Sequence, residues 1–458
     1  MCDDRILQVK TGSILRLAGK SISGSILASR TQMSVGSSQH VCECICPYCR
    51  RSLEMEVHLS GKHEQAKPRR KPPVLTQRDH AYVALMYGSG PSYFVGAMVT
   101  GWSLEQNTNL KRQDRILLCT NDVPQSFQEI LSQVWTVRPV DYIDGASPWF
   151  YWDYHGSRFK QVFTKLRILK DFAGEYRKVV LLDLDLLIRK DDVDSLFSLR
   201  APAAMVRGQN YFAHGATVPI DTFYTSHRQT VGINCGVMMV EPNAEIFDLM
   251  LSEVTERYKH PEHWPSHGPE QDYLSRFYNA FGQWTNVSCR FNYQVHLMKF
   301  GSLEWHHYNR RGFREVSVFH FSGRLVKPWE ILLDLLIAHR MTYDEIIAFV
   351  SSIPTRLAKD TAQDSPTAAE PTIVESTHFC YENHPGQRPT KKCYLYRSIH
   401  PSWTQNDSDA VIEWIHAFRS VDSACDGKTV QLLESLWTAE VKLRIECLSP
   451  SSADSHCV

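Results

Sequence analysis

Between Tyr82 and Phe172 the chain alternates short β-branched or aromatic runs with longer segments of helical period. Tyr82 to Tyr87, Arg115 to Thr120 and Thr136 to Tyr142 read as strands bounded by turn residues. Phe94 to Leu104, Gln125 to Val134 and Arg158 to Phe172 read as helices, the last with Val162, Leu166 and Leu169 on one face. Strands separated by helices are joined by crossovers, which set parallel strands side by side and cover both faces of the sheet. The expected fold is therefore α/β, a mostly parallel, doubly wound sheet. A sheet buried on both faces needs a large apolar supply, and the 43% apolar content of 458 residues is ample.

One of the later runs, Val179-Val-Leu-Leu-Asp-Leu-Asp-Leu-Leu-Ile-Arg189, is apolar except for two acids and its terminal arginine. A carboxylate in such a run costs several kcal/mol unless something neutralises it. If the strand persists, the i, i+2 spacing puts Asp183 and Asp185 on one face. At the carboxyl end of a strand, where open α/β sheets bind ligands, two such acids can hold a divalent cation. The run alone leaves a second reading open, an Asp-rich turn whose acids cap the segment that follows.

Other segments follow in a characteristic order. Ala81-Tyr-Val-Ala-Leu-Met-Tyr87 is followed by a Gly/Ser/Pro turn and Tyr93-Phe-Val-Gly-Ala-Met-Val-Thr-Gly-Trp-Ser-Leu104. Thr164-Lys-Leu166 precedes the Asp-Leu-Asp run. Gly232-Ile-Asn-Cys-Gly-Val-Met-Met-Val-Glu-Pro242, Pro269-Glu-Gln-Asp-Tyr273 and His320-Phe-Ser-Gly-Arg-Leu-Val-Lys-Pro-Trp329 come after it. Together these resemble the glycogenin-like retaining glycosyltransferases of family 8, from about Ala81 to Glu330. The resemblance implies a Rossmann-like fold of the glycosyltransferase A type, and an enzyme that moves a hexose from a UDP-sugar to an acceptor.

It also implies roles for particular residues. Asp183, Asp185 and His320 are the expected metal ligands, a mixed carboxylate and imidazole set that leans to Mn2+ over Mg2+. Without its motif, a lone histidine after an apolar strand reads as a core residue. Lys327 is the expected partner of the leaving diphosphate, with Gly323 allowing close backbone approach. Three residues separate Gly323 from Lys327 where relatives more often have two, which makes Arg324 the alternative cation. Leu85, Met86, Tyr87 and Tyr93 are expected to form the nucleoside pocket, with an aromatic ring against the uracil. Leu184 accompanies the two acids. Lys165 is expected at the donor sugar and phosphate, although a helix lysine more commonly faces solvent.

Asn234 and Gly236 are expected at the sugar hydroxyls, and Glu270 and Gln271 around the donor sugar, with Gln271 near the anomeric carbon. Relatives usually carry Asp-Gln at that pair, so the acid here is one methylene longer. Asp272 reads as a helix N-terminal acid. Retaining transfer in such enzymes proceeds without an established protein nucleophile, the acceptor hydroxyl attacking on the face the diphosphate leaves. Glycogenins also glucosylate one of their own tyrosines shortly after a Tyr-Asn-Leu-like segment. Here Phe291-Asn-Tyr293 is followed by no tyrosine until Tyr308, so a separate glycan or glycoprotein acceptor is expected.

Acidic and basic residues balance at 50 each, so no whole-chain field favours nucleic acid or an anionic membrane. No segment approaches the ~20 apolar residues needed to span a bilayer. Thirteen cysteines, most scattered singly through the central region, suit a reducing compartment, the cytosol or the nucleus. The sequons at Asn286 and Asn406 are of a kind that also arises by chance. Self-association as a homodimer is compatible with all of this.

Composition divides the chain into a flexible Ser/Cys-rich extension over 1–76, a catalytic domain over 77–355, a linker over 356–378 and a segment of unassigned role over 379–458, expected to form a small helical appendage. Within the extension, Cys46-Pro-Tyr-Cys49 and His58-Leu-Ser-Gly-Lys-His63 have the ligand types of a two-Cys, two-His Zn2+ site. Only eight residues separate the two pairs, against about a dozen in such fingers. A docking or nucleic-acid-binding zinc-finger protein with an inert transferase-like domain is accordingly the alternative function.

Overall fold

The computed structural model describes residues 78–150, 156–207, 212–219, 222–223, 232–256, 268–281, 283–295, 303–322, 327–363, 403–434 and 436. The Cys46, Cys49, His58 and His63 cluster lies outside them, as do Gly323 and Arg324.

Seven strands form the main sheet: β1 (Arg78–Met86), β2 (Arg115–Cys119), β3 (Thr136–Pro139), β4 (Tyr176–Leu182), β6 (Ala203–Val206), β7 (Ile233–Val240) and β8 (Thr285–Asn286). Their spatial order is β3-β2-β1-β4-β7-β6-β8. Strands β3, β2, β1 and β4 run parallel, β7 runs against both β4 and β6, and β8 is parallel to β6. Side-chain alternation builds two cores. Tyr82, Ala84 and Met86 of β1 join Val180 and Leu182 of β4 on one face. Ala81, Val83 and Leu85 join Val179 and Leu181 on the other. The sheet is thus buried on both sides, as a mostly parallel sheet requires.

A second, three-stranded sheet has the order β5 (Leu186–Ile188), β10 (Val318–His320), β9 (Tyr293–Gln294). Strand β4 ends at Leu182 and β5 starts at Leu186. Asp183-Leu184-Asp185 is therefore a turn between two sheets, the second of the two readings that the run left open, and the strand does not persist through it. Because chain order reverses around β1, the crevice beyond the carboxyl ends of β1 and β4 is the ligand-binding edge of such a sheet, and the turn sits there.

Helix α1 (Pro91–Asn107) packs directly on that turn. A Cβ at Gly96 would come within 2.5 Å of Leu184 O, so only glycine lets the helix approach so closely. Thr100 Oγ1 then reaches Leu184 O at 3.1 Å and Leu186 O at 3.0 Å. Helix α2 (Gln125–Leu131) follows β2. The helix expected over Arg158 to Phe172 winds as a 3-10 helix over Gly156–Leu166 and becomes α3 only at Arg167–Asp171. Helices α4 (Ala244–Thr255), α5 (Pro269–Phe281) and α6 (Leu303–Arg310) follow.

Residues Trp329 to Ile353 have a helical period in the sequence, but the structure breaks them in two. Helix α7 (Pro328–Leu333) runs into a π turn over Asp334–Ala338. Arg340 is left-handed at φ 57°, a conformation that stops a right-handed helix. Helix α8 (Tyr343–Gln363) restarts behind a capping box in which Thr342 N donates to Glu345 Oε2 at 2.8 Å and Glu345 N to Thr342 Oγ1 at 3.3 Å. It continues past the boundary expected at residue 355. Helix α9 (Gln405–Ala424) packs against α1, α7 and α8, and its Trp414, Ile415 and Phe418 belong to the same core as β1 and β4. The C-terminal helix is part of the domain's core rather than a peripheral appendage. Among the described residues no helix is long and apolar enough to cross a membrane.

Candidate active site

The turn after β4 and the end of β10 bring three side chains together. Asp183, Asp185 and His320 each offer a ligand atom, and all three atoms lie within 4.8 Å of one another. His320 Nε2 is 3.1 Å from Asp185 Oδ1 and 3.9 Å from Asp183 Oδ2. Two harder oxygens and one nitrogen, converging at the end of a sheet, are a donor set that fits a divalent cation. Backbone bonds hold the turn in place. Asp183 N donates to Gly236 O at 2.9 Å, and Phe321 N donates to Asp185 O at 2.9 Å.

A lysine stands at each carboxylate. Lys165 Nζ donates to Asp183 Oδ1 at 2.7 Å and to Glu270 Oε1 at 3.2 Å. Burial opposes the charge of Lys165, but Asp183 and Glu270 outweigh it and hold the ammonium well above its ordinary pKa. Lys165 is thus turned inward rather than to solvent. Lys327 Nζ donates to Asp185 Oδ2 at 2.6 Å and also to Phe321 O. The extra residue before Lys327 therefore does not keep it from the site. Burial works against ionisation of Asp185, yet Lys327 and His320 hold its carboxyl far below the ordinary carboxylate range.

Behind this cluster lies a network that motif reading did not find. His320 is 2% exposed, and its Nδ1 lies 2.7 Å from Asn292 Oδ1. Asn292 Nδ2 donates to Asn234 Oδ1 at 2.8 Å, which also accepts Gly236 N at 2.9 Å. The register of β7 against β6 shifts here, with Ala204 opposite Met238 but Met205 opposite Asn234. The irregularity leaves room for a bare glycine against the imidazole. A Cβ at Gly236 would meet His320 Cε1 at 2.3 Å. Gly236→Ala is therefore expected to push the ring aside, weakening Mn2+ binding by ~10–100-fold and stability by ~1–3 kcal/mol. Calorimetric Mn2+ titration and urea unfolding of the variant test this.

Of the nucleoside-pocket candidates, Leu85 and Met86 are core side chains, so only their backbone remains for a ligand, and Met86 O already accepts Thr120 N at 3.2 Å. Leu184 is likewise buried. Tyr87 and Tyr93 have ring centroids 6.4 Å apart, tilted by 34°, and Tyr93 is 52% exposed. Burial keeps the Tyr87 phenol neutral, well above its ordinary pKa. Gln271 Oε1 accepts Cys235 N at 3.4 Å, which ties the start of α5 to β7. Asp272 is the helix N-terminal acid expected, in the first turn of α5 with Gly268 N donating to its Oδ2 at 3.4 Å, and it is also wholly buried and accepts from Arg207 Nη2 at 2.6 Å.

A crevice at the carboxyl edge of the sheet, with an acid, acid, imidazole cluster flanked by lysines, is an arrangement that fits a glycosyltransferase. The profile of Glycosyl transferase family 8 matches residues 84–332, and the chain belongs to that family. An uncharacterised protein of Acanthamoeba polyphaga mimivirus is 32% identical over 259 residues, which are 55% of this chain and 83% of that protein. The inositol phosphorylceramide glucuronosyltransferase 1 of Arabidopsis thaliana is 25% identical over 202 residues, 44% of this chain but only 30% of that enzyme. Among solved structures, the galactosyltransferase LgtC with donor and acceptor sugar analogues is matched at 17% identity and a TM-score of 0.36, over 54% of this chain and 89% of that one. Mouse xyloside xylosyltransferase 1 is matched at 14% identity and a TM-score of 0.33, over 53% and 97%.

Proposed function

We propose that the protein is a metal-dependent retaining hexosyltransferase, which moves a sugar from a UDP-sugar to a separate glycan or glycoprotein acceptor. The observation that carries this reading is the convergence of Asp183, Asp185 and His320 within 4.8 Å between Lys165 and Lys327. Mn2+ is the preferred ion over Mg2+ because the donor set mixes imidazole with carboxylates. When bound, it neutralises charge on the diphosphate and so improves the leaving group.

The chain's own residues do the rest. Lys327 shares Asp185 in the free protein and turns to the leaving phosphate when a cation takes over that carboxylate. Lys165, held by Asp183 and Glu270, sits where donor sugar and phosphate meet. Glu270, Gln271 and Asn234 orient the sugar hydroxyls, and Gln271 lies nearest the anomeric carbon. Tyr93 supplies an exposed ring for the uracil beside Tyr87, and the backbone at Leu85, Met86 and Leu184 lines the nucleoside. Gly323 lies outside the described residues, and its part in admitting the diphosphate remains an element of the proposal. The acceptor hydroxyl attacks from the face the diphosphate leaves, which itself takes the proton.

We place the enzyme in the cytosol or nucleus. Cys119, Cys235, Cys289 and Cys425 are free and buried, which suits a reducing compartment. Asn286 is buried and its Nδ2 donates to Phe212 O at 2.8 Å; Asn406 Nδ2 donates to Asn309 O at 3.0 Å. Both sequon amides are thus engaged within the fold.

The test is release of UDP from UDP-glucose, UDP-galactose, UDP-xylose and UDP-glucuronate, with Mn2+ and with chelator. Turnover of at least one donor, lost on chelation, is expected. Folded protein that releases no UDP from any of them would mark an inert relative and end the proposal.

A further inference from the structure

The buried network behind His320 begins at a group whose hydrogen-bonding sense is fixed. The backbone N–H of Gly236 can only donate, so the Asn234 atom it meets at 2.9 Å is the amide oxygen. That oxygen is a pure acceptor, so Asn292 must turn its NH2 to it, at 2.8 Å. Asn292 then has only its own oxygen left for His320 Nδ1, at 2.7 Å. An amide oxygen cannot donate, so the proton of that contact sits on Nδ1. With Nδ1 holding its proton, the nitrogen left to bind a cation with a free lone pair is Nε2, which faces Asp185 at 3.1 Å. One backbone amide of β7 thereby dictates, through two asparagine side chains, which histidine nitrogen is available to a cation.

We infer that Asn292, oriented by Asn234, is a positioning residue that locks His320 as the Nδ1–H tautomer and aims Nε2 at the metal. The inference rests on the metal reading above and adds to it a residue that no ligand touches. Asn292 and His320 are both buried, and His320 pairs with Gln294 two residues beyond Asn292. Neither side chain has water to replace the lost bond. Without the Asn292 oxygen, Nδ1–H would be left unpaired, and the ring would gain by turning over or by protonating at Nε2. Either change takes the lone pair away from the cation. Asn234 has a smaller part, because its removal leaves Asn292 in place but free to flip.

The experiment is a titration of Mn2+ into the full-length protein by calorimetry, with the visible spectrum of the Co2+-loaded protein as a report on imidazole ligation. Asn292→Leu, similar in shape and without an acceptor, is expected to bind Mn2+ ~10–100-fold more weakly and to lose the imidazole signature of the Co2+ spectrum. Asn292→Asp keeps an acceptor oxygen for Nδ1–H but loses the NH2 that Asn234 accepts, so it is expected to bind Mn2+ more tightly than Asn292→Leu and to keep the imidazole signature of the Co2+ spectrum, the rescue that an outer-shell partner predicts. A folded Asn292→Leu protein with wild-type affinity and spectrum overturns the inference. If the leucine variant does not fold, the aspartate variant decides, and loss of the imidazole signature there overturns it equally. Wild-type protein that binds no Mn2+ at all removes the metal reading itself, a result distinct from either.

Discussion

Asp185→Ala is expected to abolish Mn2+-dependent UDP binding and to take donor turnover below detection. Asp183 and Asp185 each meet one lysine and His320, but Asp185 holds the imidazole more closely, at 3.1 Å against 3.9 Å. One carboxylate oxygen lies 3.1 Å from His320 Nε2 and the other 2.6 Å from Lys327 Nζ. Those two groups favour the anion and hold its carboxyl below the ordinary range in spite of burial. Removing it deletes one of three protein ligands, and should cost more than the ~10–100-fold in cation affinity typical of outer-shell losses. It also leaves Lys327 with only the Phe321 carbonyl among the contacts made at this site. Catalysis should fall by at least ~10²–10³, the usual effect of losing one preorganised electrostatic group at a reacting centre. Asp185→Asn keeps the shape, removes the charge, and should fail nearly as completely. Calorimetry of UDP with Mn2+ decides the matter: wild-type binding by the alanine variant would contradict the assignment of the site.

The alternation of strands and helices from Tyr82 onward was legible because each period reports the local backbone, and β1, α1, β2, α2, β3 and β4 lie where that alternation put them, with ends that differ by a few residues. Asp183, Asp185 and His320 could be named as a set only because motifs more than 130 residues apart occurred in a familiar order. Their convergence depends on β5 pairing with β10, which no local pattern reveals. Whether Asp183-Leu184-Asp185 is strand or turn stayed open for a related reason. Leu184 is as apolar as its strand neighbours, and what lies against it, the backbone of helix α1 at Gly96, is distant in sequence. Asn292 looked like an ordinary residue of a Phe-Asn-Tyr segment, since the role of a buried amide is set by what lies across from it. Gly236 could be read as part of a motif but not as the floor beneath an imidazole.

Helix α9 is the other feature that composition concealed, and Trp414→Ala tests what it does. Trp414 is wholly buried, stacked on Phe418 at 6.0 Å and 8° and tilted against Trp329 at 6.0 Å and 58°. Truncating such a ring is expected to destabilise the domain by ~3–5 kcal/mol, from lost transfer energy together with the cavity left behind. Trp414→Phe should recover much of that. A peripheral appendage would behave differently, melting separately while the catalytic sheet unfolded at its usual denaturant concentration. Urea unfolding followed both by fluorescence and by far-ultraviolet dichroism distinguishes the two cases. One shared transition at a lower midpoint is expected, and an unchanged main transition would show α9 to be dispensable. The helix also holds both approaches to the metal site. Arg189, next after β5, is clamped by Glu413 through Nε–Oε2 at 2.5 Å and Nη2–Oε1 at 2.9 Å. Trp329, two residues after Lys327, leans on Trp414, and Lys327 Nζ lies 5.6 Å from the Trp329 ring centre. Loss of α9 packing should therefore loosen the turn that carries Asp185 and the segment that carries Lys327 together, so Mn2+ affinity should fall in Trp414→Ala even under conditions where the protein remains folded.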